Sequence, residues 1–149
     1  MLRLSGTAAG SGIAVGPVRL PAARIFVEER HVAPERRLAE ISRFDTAVAA
    51  ADAAMADVSR HVTAPAGAEI VDAHRAILQS EELVDGARRL IRERGVGAEW
   101  AIRMVVDRLG IGFAQMKDAR FRERFADVEQ VAERLLRRLL GLPAIADDE

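Results

Sequence analysis

The sequence predicts a mainly α protein, an antiparallel bundle of about five helices preceded by a short N-terminal β-hairpin. Three observations carry this expectation. Gly6, Gly10, Gly12 and Gly16 crowd the start of the chain, whereas residues 34 to 140 are rich in Ala, Leu, Arg and Glu, which are strong helix formers. Within that second stretch apolar residues recur every three or four positions, the period of a helix with one buried face. The breaks between periodic segments are short and bear cap residues, and short links make successive helices antiparallel neighbours.

Taken in order, the segment Leu4 to Leu20 has short apolar runs punctuated by glycine and reads as two short strands about a turn at Gly10-Ser11-Gly12. Ile25-Phe26-Val27 extends it, and an isolated hairpin of this size needs a larger sheet to join. Helix one is expected over about 34–61: Pro34 suits a first helical position, Glu35 favours the positive end of the helix, and Leu38, Ile41, Phe44, Val48, Ala51, Met55 and Val58 form its stripe. Thr63-Ala-Pro-Ala-Gly67 breaks it. A shorter helix follows through Ile70, Val71, His74, Ile77 and Leu78. Ser80 can cap a third, 81–94, with Glu81 and Glu82 in its first turn and Gly95 as its C-terminal glycine. The fourth runs from Ala98 through Trp100, Ile102, Val105, Val106, Leu109, Phe113 and Met116, with close packing or a bend expected at Gly110 and Gly112. The fifth, 119–140, carries Phe121, Val128, Val131, Leu135, Leu136 and Leu139 and stops at Gly141, with Pro143 beyond.

A chain of 149 residues fits one ordinary domain, and a net charge of −1 argues against the basic footprint of a nucleic-acid binder. The absence of cysteine excludes disulfides, thiolate zinc sites and thiol nucleophiles. With no signal peptide and no run of membrane-spanning length, the expected location is the cytoplasm, without membrane contact. Catalytic signals are sparse. There is no P-loop, dinucleotide fingerprint, zinc-protease motif or nucleophile elbow, and His31, His61 and His74 lack ligand spacing. Glu81-Glu82 reads as dipole stabilisation on a solvated face.

Three segments in a fixed order are more specific. Ser5-Gly6 with Ala8-Ala9 precedes Gly12-Ile-Ala-Val-Gly16; Glu69-Ile-Val-Asp-Ala-His74-x-x-Ile77-Leu78 comes next; then Phe121-Arg-Glu-Arg124-Phe-Ala-Asp127-Val128-x-x-Val131-x-x-Arg134-Leu135. Together they resemble the N-terminal region of enzyme I, the phosphoenolpyruvate-protein phosphotransferase of the bacterial sugar phosphotransferase system, over essentially the whole chain. The resemblance implies that residues 1–30 are the β segment of an incomplete, phosphohistidine-bearing α/β subdomain, that 31–141 form a helical domain docking the carrier protein HPr, and that 142–149 lead toward the rest of that subdomain. The family's G-G-x-x-S-H-x-A-I-x-A-R motif follows these helices and is missing here, as is the barrel for phosphoenolpyruvate and magnesium. The chain is therefore expected to be part of a larger phosphotransferase, to hold no cofactor or metal and no catalytic residue itself, and to be inactive and monomeric alone. Full-length relatives dimerise through the C-terminal part.

His74, Ala76, Ile77, Ser80, Glu82 and Leu83 lie on adjacent turns and can present one mixed apolar and acidic face, which suits a small basic partner. The resemblance places His74 on the docking surface rather than at the phosphorylation site. A histidine hydrogen-bonded at a helix packing edge remains the competing reading, and Ile77 and Leu83 equally fit a core. Arg124 and Asp127 can form a local i,i+3 pair; the resemblance adds that their helix borders the docking groove, with Phe113 near it unless it too is core. Ala64-Pro65-Ala66-Gly67-Ala68 replaces charged residues common in the family, and Ser80 stands where aspartate is frequent. Weaker charge steering admits a divergent HPr or its nitrogen-related homologue as partner. Two other readings stay open, a stand-alone helical adaptor or regulator and an oligomerisation module.

Overall fold

A computed structural model describes residues 25–115 and 119–143. The expected hairpin about Gly10–Gly12 and the tail beyond Pro143 lie outside the described residues. Among the described residues five α-helices stand where the periodicity places them: α1 Arg37–His61, α2 Pro65–Leu78, α3 Glu81–Arg94, α4 Ala98–Ala114 and α5 Ala119–Leu139. A 3-10 turn, Pro34–Arg36, leads into α1.

Helix α1, at 25 residues, is about 37 Å long, nearly as long as α2 and α3 end to end. Those two run consecutively along it in the opposite direction. Arg75 of α2 donates to Asp52 at 2.9 Å, Arg88 of α3 donates to Asp45 at 2.8 Å, and Arg37 donates to the carbonyl of Arg92 at 2.9 Å. The break between α2 and α3 is brief because Ser80 caps α3, its Oγ accepting the Leu83 N–H at 3.4 Å. Helix α3 ends at Gly95, whose φ of 62° is open to glycine at little cost. Helices α4 and α5 then return antiparallel to each other, the C-terminus of α5 reaching the start of α1, where Arg43 donates to the Leu139 carbonyl at 3.3 Å.

The core is thickest where α1, α3, α4 and α5 meet. Phe44, Leu83, Ile91, Ile102, Val131, Leu135 and Leu136 are fully buried there. Each such side chain contributes roughly 1.5–3 kcal/mol by leaving water. Two residues expected in the α1 stripe are outside it. Leu38 is 77% exposed, because the buried stripe is centred on Phe44, Ala47, Ala51 and Met55 and Ile41 already marks its edge. Val58 lies near the end of α1, beyond most of its cover, and is 40% exposed.

At the opposite margin of the α1 stripe a carboxylate is buried instead. Glu40 accepts the Ala98 N–H at 2.9 Å, at an α4 N-terminus that has no side-chain cap, and pairs with Arg30 and with Arg43 at 2.8 Å. Arg43 also reaches Glu99 at 2.7 Å. Burial pushes the Glu40 carboxyl up, but the hydrogen bonds from Arg43 and Ala98 and the charges of Arg43 and Arg30 win, bringing it to about 2. The same end of the bundle holds the incoming chain. Val32 donates to Gly95 and Gly97 donates to Arg30, both at 2.7 Å, Arg103 donates to the Ile25 carbonyl at 3.0 Å, and Val27 and Val32 are buried. Residues 25–33 are thus strapped along the bundle, with one antiparallel bridge, His31 to Val96, among the described residues.

Candidate functional site: a groove between α2 and α4

Helix α2 packs on α1 and α5, and α4 packs on α3 and α5, but α2 and α4 do not meet among the described residues. The first half of α5 therefore floors an open groove, with α2 on one side, the last turns of α4 on the other and the start of α3 at one end. Asp72 and Arg75 of α2 face α1, through Ser59 at 3.3 Å and Asp52 at 2.9 Å. Ala73 is about 200° round the helix from Arg75, so the stripe Ile70, Ala73, Ile77 turns away from α1 toward the open side. Ile70 is 59% exposed, although the periodicity marks it as apolar face. On α4, Gly112 has nothing within 4 Å of where a Cβ would stand, as expected for open space beside the groove.

The floor is defined by two contacts. His74, buried on α2, places Nε2 3.5 Å from Oδ1 of Asp127 on α5. Two residues earlier on α5, Phe125 meets Phe113 of α4 with ring centroids 5.7 Å apart and planes tilted by 41°. Both rings are half-buried.

The residues singled out by sequence divide accordingly. His74, Ile77, Phe113 and Asp127 come together about the groove, and Arg124 lies exposed on α5 beside it. Glu82 is exposed in the first turn of α3 and joins Glu81 as an acidic rim. The other candidates are placed differently. Leu83 is fully buried in the core and presents nothing to a partner. Ala76 is exposed, one turn after Ala73 and about 200° round α2 from His74. The Asp127 carboxylate is within ion-pair distance of His74 on α2. Sequence reasoning missed Ile70 and Ala73 as site residues and Phe125 altogether, although the 70, 73, 77 spacing was a usable signal.

Among the described residues no group of three His, Asp or Glu side chains could hold a metal ion, and the shifted carboxylates, Glu40 and Asp52, are both paired with arginines outside the groove. No described helix is long and apolar enough to cross a membrane. The arrangement offers an apolar surface with an acidic rim on one side and a cation on the other, which is the anatomy of a recognition site.

Comparison with known proteins agrees with the resemblance drawn from the motifs. The family described as "PEP-utilising enzyme, N-terminal" matches residues 5–124. The chain is 34% identical over 146 residues to a phosphoenolpyruvate-protein phosphotransferase of Cupriavidus necator and 30% identical over 146 residues to that of Bacillus subtilis. Each alignment covers 95% of this chain and 25% of the relative, so the chain spans about a quarter of the length of these relatives. Its fold is that of a solved enzyme I N-terminal protein, with a TM-score of 0.75, 21% identity and coverage of 85% of this chain and 53% of the other. The N-terminal domain of a nitrogen enzyme 1 superposes with a TM-score of 0.69 at 22% identity, covering 81% of this chain and 51% of that one. By family match, by sequence identity to phosphoenolpyruvate-protein phosphotransferases and by fold, the chain belongs to the PEP-utilising enzymes through their N-terminal domain.

Proposed function

We propose that the α2–α4 groove is the docking surface for a phosphocarrier protein of the HPr type, and that the chain serves a cytoplasmic phosphoenolpyruvate-dependent phosphotransferase by holding that carrier. The observation that supports this reading is that Ile70 and Ala73 are exposed on α2, two turns and one turn before the half-buried Ile77, along the opening left where α2 and α4 do not meet among the described residues. A monomeric helix ordinarily buries such a stripe, and its exposure within a groove rimmed by charge fits a partner surface. Docking supplies proximity. In phosphoryl transfer the chemistry is largely positioning and charge stabilisation, so a rigid site that orients the carrier's acceptor histidine contributes to rate without donating a reacting group. The phosphohistidine, and the magnesium and phosphoenolpyruvate site, belong to other parts of the whole enzyme. Ala64–Ala68 leaves the start of α2 without acidic side chains, which favours a carrier recognised by apolar contact with modest charge steering, including the nitrogen-branch homologue of HPr.

The test is a titration of isotope-labelled chain with unlabelled HPr of the same organism, followed by backbone amide shifts. Shifts are expected at Ile70–Glu82 and at Phe113–Asp127. Shifts absent at near-millimolar carrier, with the chain folded, would remove the docking assignment, and shifts on adding unlabelled chain alone would move it to self-association.

A further inference from the structure

We infer that Gly110 is a specificity-determining residue of this groove: its bare backbone seats the Phe125 ring, and Phe125 in turn holds Phe113 as the aromatic wall that an apolar side chain of the carrier meets. This rests on the docking reading above and adds which residues shape the contact.

The argument begins with a glycine where a helix has no local use for one. Gly110 lies inside α4, where alanine would be the better helix former. The two glycines of this turn differ in what surrounds them. A Cβ on Gly112 would meet nothing within 4 Å, whereas a Cβ on Gly110 would lie 2.8 Å from Cζ of Phe125 and 3.2 and 3.4 Å from its Cε2 and Cε1. The tip of the ring therefore rests on the α4 backbone itself. Phe113 is one turn further along the same face of α4 and meets the same ring with centroids 5.7 Å apart, within the range of favourable aromatic pairs. Gly110 and Phe113 together form a saddle for one side chain of α5.

The saddle matters because Phe125 is only half-buried. A ring locked in a core would resist a methyl group at position 110 and the helices would part. This ring packs at the margin of the core and stays partly exposed, so a methyl group at 110 shifts the tip of the ring, and the contact with Phe113 shifts with it. The depth and slope of the wall then change while the core about Phe44, Ile102 and Leu135 stays as it was. Glycine at 110 thus selects for carriers whose apolar side chain fits the deeper form.

The experiment compares carrier affinity and thermal stability for Gly110→Ala, Phe125→Leu, the double variant and Phe113→Ala, using HPr of the same organism as the probe. Wild type is titrated first. If it fails to bind, the docking reading itself falls, whatever the variants do. Given wild-type binding, Gly110→Ala is expected to melt within a few degrees of wild type and to bind about tenfold more weakly. The double variant should bind like Phe125→Leu alone, because the shorter side chain no longer collides with the methyl group. Gly110→Ala binding as wild type, or losses from Gly110→Ala and Phe125→Leu that multiply independently, would overturn the inference. Should Gly110→Ala fail to fold, Phe113→Ala and Phe125→Leu decide it: undiminished binding in both removes the aromatic wall.

Discussion

The Nε2 atom of His74 on α2 stands 3.5 Å from Oδ1 of Asp127 on α5, joining two helices at the groove floor. The two partners are unequally placed: the His74 side chain is 8% exposed and that of Asp127 is 43% exposed. The histidine thus works from within, linking α2 to α5. His74→Ala removes buried packing as well as the pairing and is expected to cost on the order of 2 kcal/mol in urea denaturation. Asp127→Ala, which removes only a partly solvated partner, should cost less than about 1 kcal/mol. Equal losses would show that the contact, and not the burial, carries the stability.

Glu40 predicts how the bundle responds to acid. Its carboxyl is held at about 2, against an ordinary value of 4.5 for the exposed chain. A depressed carboxylate contributes stability that is complete above the unfolded value and is lost as pH falls toward the folded one. The midpoint of thermal unfolding should therefore decline most steeply between pH 4.5 and about 2. Glu40→Gln is expected to cost about 1.5–3 kcal/mol at neutral pH, as a charge-assisted bond becomes a neutral one, and to flatten that decline. A variant with the same acid slope as wild type would assign the slope to other carboxylates.

Much of the fold is legible because its signals are local. Ser80 and Gly95 bracket α3 by cap chemistry that needs no tertiary information, and both act as expected. The exposed Leu38 and Ile70 were not legible as such, because periodicity identifies a stripe but not which part of it another helix covers. Glu40 illustrates the converse. A glutamate in a helix reads as solvated, and its burial depends on the Ala98 N–H, 58 residues away, and on arginines from two segments. At the groove, His74 and Asp127 were singled out through the quoted motifs and Phe113 through the family resemblance. Phe125 escaped notice because its role is set by Gly110 on another helix, which sequence marked only as a point of close approach.

Leu83 and Ile70 separate core from surface in one pair of variants. Leu83 is fully buried and Ile70 is 59% exposed. Leu83→Ala should lose about 2–5 kcal/mol, the range for a buried leucine truncated to alanine, and should affect carrier binding only through unfolding. Ile70→Ala should change stability by under about 0.5 kcal/mol, as surface substitutions do. It should weaken the carrier complex severalfold if the stripe is a contact. Chemical denaturation with calorimetric titration reads both quantities, and an Ile70→Ala chain that binds as wild type would remove α2 from the contact surface.

The acidic rim makes a prediction about rate rather than about affinity at high salt. Glu81 and Glu82 are exposed in the first turn of α3, at the end of the groove, where their cost in desolvation on docking is small. Rim charges act chiefly by steering encounter, and that steering reaches only about 10 Å at 0.1 M salt. Glu82→Lys is therefore expected to slow association with a basic carrier about three- to tenfold at low ionic strength. Near 1 M salt, where the screening length is about 3 Å, the variant should approach wild type, with dissociation changed little throughout. Stopped-flow association across a salt series measures this directly. A loss that persists undiminished at high salt would place Glu82 within the buried contact, as a side chain that touches the carrier rather than one that guides it in.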